Sequence, residues 1–128
     1  MEKTAVNPWK WQDQFGFVQA NLVSGERVLC CSGQTSVDEN GAVMHAGDMA
    51  AQINQALDNL EAVLAEAGLA PDNIVKLTIY VTDMDAAFSA FPSVGARIAG
   101  YKSAQTLIGV SRLAFPGLMV EIEATAVA

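Results

Sequence analysis

The sequence runs to 128 residues, of which 52% are hydrophobic and 16% charged, with a net charge of −7. That size and apolar content suit a single folded domain over 1–128 and exclude a disordered chain. Seven Lys and Arg stand against fourteen Asp and Glu, and an acidic surface repels phosphate, so no nucleic acid or anionic membrane is expected as a partner.

No segment reads as a membrane span, and the first residues, Met1 to Pro8, lack the apolar run of a signal peptide, so the expected location is the cytoplasm. The cysteines, Cys30 and Cys31, are neighbours, which suits two packed thiols better than a strained bridge. One histidine, His45, is too few for a zinc site of His and Cys, and no metal or cofactor is expected.

In chain order, Asn7 to Trp11 reads as an irregular entry with two tryptophan anchors. Phe15 to Val23 and Arg27 to Ser32 read as strands joined at Ser24-Gly25-Glu26 by a hairpin turn, and Asp38 to Gly41 as a second turn. Asp48 to Ala67 is a helix: Met49, Ile53, Ala56, Leu57, Leu60, Val63, Leu64 and Ala67 recur at steps of three and four. Asp48 is its N-cap and Gly68 its stop, while Gln52, Gln55, Asp58, Asn59, Glu61 and Glu66 fall on the other faces.

Ile74 to Val81 alternates as a strand. A turn through Phe88 follows, then a helix from Pro92 to Tyr101, because Pro is tolerated in a first turn. Thr106 to Leu113 and Leu118 to Val127 are read as strands joined by a hairpin loop at Ala114 to Gly117. The order is β-β-α-β-α-β-β, an α+β fold with two helices on one face of a mixed sheet. The second face would be partly apolar, through Leu107, Met119 and Val127, and uncovered, which predicts burial by other copies of the chain.

Few residues carry chemistry. Glu121 and Glu123 share one strand face, and paired carboxylates can divide acid and base roles, although alternate glutamates also line ordinary solvated faces. Ser32-Gly33-Gln34 follows an apolar strand, where a glycine admits either a ligand to the backbone or a bulge. Nothing local activates Cys30 or Cys31, which alternation sends to opposite sides of the strand. Nucleotide-phosphate and nucleophile-elbow motifs are missing.

Taken together, Ser32-Gly33-Gln34, Gln55 to Leu60, Ala67-Gly68-Leu69, Asp72 to Lys76, Tyr80 to Met84 and Val120 to Ala124 resemble the RidA (YjgF) family. Its members are also called reactive intermediate deaminases or endoribonuclease L-PSP. The resemblance runs from Phe15 to the C-terminus and implies a chorismate-mutase-like fold. It also implies a homotrimer with a small-molecule cleft at each subunit interface. Family deaminases hydrolyse imines and enamines such as 2-aminoacrylate to a keto acid and ammonia, without metal or organic cofactor. An arginine binds the substrate carboxylate, while a loop backbone and a glutamate position substrate and water.

Carried over, Glu121 matches that glutamate, and Ser32 and Gly33 match the loop. The arginine position holds Gln105, the early-strand tyrosine is Phe17, a frequent cysteine is Leu107, and a frequent asparagine falls near Pro92. Arg112 matches a different family arginine, on the face opposite Gln105. A charge-assisted pair contributes about 1.5–3 kcal/mol and a neutral amide about half that, so a small anionic imine would bind roughly tenfold more weakly. The resemblance thus implies a divergent deaminase in which Glu121 and Gln105 act on a neutral or amide-like substrate other than 2-aminoacrylate, with Phe17, Ser32, Gly33 and Leu107 lining the site. The alternative is a trimer that binds a metabolite or partner without turnover; RNA cleavage ranks last, for want of a histidine pair.

Overall fold

A computed structural model describes all residues, 1–128. The strands are β1 (Glu2–Val6), β2 (Ala20–Ser24), β3 (Val28–Thr35), β4 (Ile74–Val81), β5 (Ala104–Gly109) and β6 (Val120–Val127). The helices are α1 (Met49–Glu66) and α2 (Met84–Gly100), with short 3-10 turns at Trp11–Phe15 and Pro71–Asn73. The main sheet runs β3-β6-β4-β5, and β1 and β2 form a separate antiparallel pair. This is the expected chorismate-mutase-like α+β fold, with an N-terminal strand added. No helix is long and apolar enough to cross a membrane.

The helix α1 forms where its apolar stripe requires. Asp48 caps it by accepting the Ala51 N–H at 3.0 Å. Gly68, at φ +74°, lets the Leu69 N–H return to the Leu64 carbonyl at 2.8 Å and closes the last turn. Ile53, Leu57, Leu60 and Leu64 are buried against Leu77, Val120, Ile122 and Ala126 of the sheet. Burying one such aliphatic side chain contributes about 1.5–3 kcal/mol, so this contact layer dominates the fold's stability.

Four expectations need correction. The strand expected over Phe15 to Val23 begins only at Ala20, because the chain first makes a 3-10 turn that Gly16 ends at φ +74°. Ser24-Gly25-Glu26 joins strands of two different sheets and is no hairpin; β2 pairs instead with β1. The helix expected to begin at Pro92 starts at Met84, capped by Asp83, and runs through the proline. Proline inside a helix costs about 3 kcal/mol, but Ala87, Ala90, Val94 and Ile98 keep one buried stripe across it and the ring is exposed. The fourth concerns the last two strands, which are not neighbours: β5 lies parallel to β4 at the edge, and β6 inserts antiparallel between β3 and β4.

Gln52 also departs from its expected solvated position. Fully buried, it donates to the Gly117 carbonyl at 2.8 Å and the His45 carbonyl at 3.3 Å, and accepts the Met119 N–H at 2.8 Å. It thereby fastens the β5–β6 connection to α1. Asn59 does the same for the end of β3, donating to the Thr35 and Val37 carbonyls at 2.8 and 3.0 Å. Arg97 joins the helices, bonding Asp58 at 2.7 Å and Glu61 at 2.9 Å.

Candidate functional site

The sequence-derived site residues divide into two groups on opposite faces of the main sheet. Gln105 and Leu107 pair with Leu77 and Ile79 of β4, buried residues that face the helices. Glu121 pairs with Tyr80, on the face the helices leave open.

On the helix side, a cleft of about 750 Å³ opens between the Trp11–Phe15 turn, α2 and the β5 edge. Phe17, Gln105 and Leu107 all line it, with Leu107 on the helix side of the sheet and not on the uncovered face expected from the sequence. Phe17 comes to β5 because Val18 bridges Ala104 in parallel and donates its N–H to the Ser103 carbonyl at 3.2 Å. Phe15, Phe88, Phe91 and Pro92 complete an apolar wall. Edge-to-face contacts order it: Trp11 with Phe17 at 5.8 Å and Phe88 with Phe91 at 5.4 Å between ring centroids. Gln105 donates through Nε2 to the Ser103 hydroxyl at 3.1 Å. The aromatics from the first turn and α2 were missed in the sequence, where Phe15 read as the start of a strand and Phe88 as part of a turn.

On the open side, Ser32 and Gly33 form a β-bulge: two residues between Cys31 and Gln34 face one, Glu123, between their partners on β6. Gln34 folds back to donate to the Ser32 carbonyl at 3.1 Å. Gly33 leaves room for Glu121, since a Cβ at position 33 would stand 2.5 Å from its Oε1 and the carboxylate would have to shift. Ser32, Gly33 and Glu121 are thus one cluster, separate from the cleft that holds Gln105. Beside it the Tyr80 hydroxyl donates to Glu123 at 2.6 Å, which holds that phenol above its usual range, and Lys76 donates to Thr106 at 2.8 Å.

The two cysteines take opposite sides as alternation required, Cys30 exposed and Cys31 buried, and burial pushes the Cys31 thiol up. A buried thiol with a raised pKa is a packing residue and not a nucleophile. Arg112 lies beyond the end of β5 in an exposed loop, so strand alternation does not place it on a face; both ion pairs of the chain belong to Arg97.

Comparison with known proteins places this arrangement. The model of the endoribonuclease L-PSP family matches residues 14–128. The chain belongs to this family, also called RidA or YjgF. A crystal structure of the Rid-family protein YyfB from Yersinia pestis is 35% identical and superposes with a TM-score of 0.90, covering 100% of both chains. The YjgF gene product of Escherichia coli is 33% identical at a TM-score of 0.68, over 86% of each chain. The 2-iminobutanoate/2-iminopropanoate deaminase of Salmonella typhimurium is 36% identical, with 78% of this chain and 79% of that protein covered.

Proposed function

We propose that this RidA-family chain hydrolyses an imine or enamine to a carbonyl compound and ammonia, in a cleft closed between copies of a homotrimer. The observation that carries this reading is the separation of the two clusters. Gln105 and Leu107 face the helix side of the sheet and Glu121 the open side, so a site that uses both draws them from different copies. Phe17, Leu107 and Gln105 of one copy would hold and orient the substrate. Glu121 and the Ser32–Gly33 backbone of the next would position the water. Similarity to a 2-iminobutanoate/2-iminopropanoate deaminase supports the reaction class.

In the reaction, water adds across the C=N carbon, Glu121 accepts a hydrogen bond from that water, and the nitrogen leaves with the protons it gains. Gln105 replaces a cation with a neutral amide, which supports a substrate other than 2-aminoacrylate. The same replacement favours a second reading, a trimer that binds a metabolite without turnover. Imines generated in situ by an amino-acid or amine oxidase, with carbonyl release followed with and without the protein, separate the two. Acceleration supports the deaminase; none across a broad panel of amines and amino acids leaves the binding module.

A further inference from the structure

The charge and hydrogen-bonding polarity of the cleft define a narrower class of ligand. Among the residues that line it, Asp13 is the only charged one, and no Lys or Arg joins it. From the chain's own wall a ligand carboxylate therefore finds no cation and meets a like charge, whereas a cation finds a counterion.

The aromatic wall acts in the same direction. Phe15, Phe17, Phe88 and Phe91 line the cleft, and the faces of such rings carry partial negative charge that attracts cations. Gln105 acts in the same direction again. Its Nε2 gives one of its two N–H groups to Ser103 at 3.1 Å, and its Oε1 makes no hydrogen bond within the chain and is open to a ligand. That oxygen is an acceptor, which pairs with an N–H and not with a carboxylate. In a single copy the cleft, about 750 Å³, is of a size that admits a ring-bearing ligand.

We infer that the cleft takes an imine bearing an aromatic substituent and no carboxylate, bound as its iminium cation. The inference rests on the deaminase reading for its reaction and on the cleft alone for its ligand class. The iminium nitrogen donates to Gln105 Oε1, Asp13 supplies the counter-charge, and the phenylalanines enclose the ring. In the reaction, one iminium cation and one water give one carbonyl compound and one ammonium ion. The carbon–nitrogen double bond breaks, a carbon–oxygen double bond forms, both water protons end on nitrogen, and no oxidant or reductant is needed.

The test pairs binding with turnover. Benzamidinium and benzoate have similar shape and opposite charge, and isothermal titration of the intact protein compares them. Benzamidinium is expected to bind at least about tenfold more tightly, a ratio that Asp13→Asn reduces several-fold and Gln105→Arg reverses. Benzoate binding as tightly as benzamidinium overturns the inference, and a ratio unmoved by both substitutions overturns its assignment to this cleft. In the second arm, imines are made in situ by an amine oxidase from benzylamine and by an amino-acid oxidase from phenylalanine. Greater acceleration of the first is expected. Greater acceleration of the second overturns the ligand class and leaves the deaminase reading standing. Acceleration of neither removes the deaminase reading, while the binding ratio still decides the ligand class.

Discussion

The two faces of the main sheet are built by different rules. The helix face is closed within the chain: Leu57, Leu60, Leu77 and Ile122 are wholly buried there. Toward the β5 edge that cover stops, and the aromatic cleft begins. The open face carries polar side chains, Lys76, Tyr80, Glu121 and Glu123, several of them engaged in hydrogen bonds. The contrast separates stability from function: substitutions on the closed face should unfold the chain, and those on the open face should disable it while it stays folded.

The largest expected effect is on the closed face. Leu57→Ala should cost about 2–5 kcal/mol in urea unfolding, because the side chain is wholly buried and its surroundings relax only in part around the cavity. Next comes Gln52→Leu, which removes the hydrogen bonds that the buried Gln52 amide makes to the Gly117 carbonyl and the Met119 N–H and should cost about 1–3 kcal/mol. A stability unchanged by either would break the division.

On the open face, Glu121→Gln should lower turnover by about 10–100-fold with a urea midpoint close to that of the parent. Gly33→Ala should act in the same sense more weakly, since its methyl must displace the end of the flexible Glu121 side chain and not backbone. Loss of stability without loss of turnover in these two variants would contradict the account.

The smallest effect is a pH dependence. Burial first, and then its hydrogen bond to Glu61, push the Tyr101 phenol above its usual value of about 10. A raised acid keeps its proton in the fold after the unfolded chain has lost it. Its contribution is therefore complete below about pH 10 and declines as pH rises toward the folded value. Tyr101→Phe should flatten the alkaline fall in unfolding free energy. Tyr80, raised by Glu123, leaves a residual slope of the same sign.

Much of this was legible in the sequence. The α1 stripe, its Asp48 cap, its Gly68 stop and the alternation of β4 and β6 follow from local periodicity, and each is where expected. Strand neighbours were not legible, because Ala114 to Gly117 encode a reversal of the chain and not the strand it returns to. Pro92 reads as a helix start because local chemistry disfavours it inside a helix; only the packed stripe on either side overrides that. Gln52 looked solvated because nothing in the sequence announces the distant carbonyl at Gly117 that its amide meets. Of the candidate site, Phe17, Gln105 and Leu107 line one cleft and Glu121 lies across the sheet from them; which face Leu107 takes was not legible, because it depends on the pairing of β5 with β4.

That separation makes the decisive measurement one of complementation between copies. Gly95 lines the cleft with open space at its Cβ, so Gly95→Phe should plug it without disturbing the fold. Chains carrying Gly95→Phe and chains carrying Glu121→Gln, each assayed alone for its residual activity, are co-expressed with different tags and assayed on whichever imine the parent hydrolyses. If each site joins the cleft of one copy to the Glu121 of the next, random mixing in a trimer should restore about a quarter of the parental activity. Mixed trimers no more active than the mean of the two variants alone would contradict it.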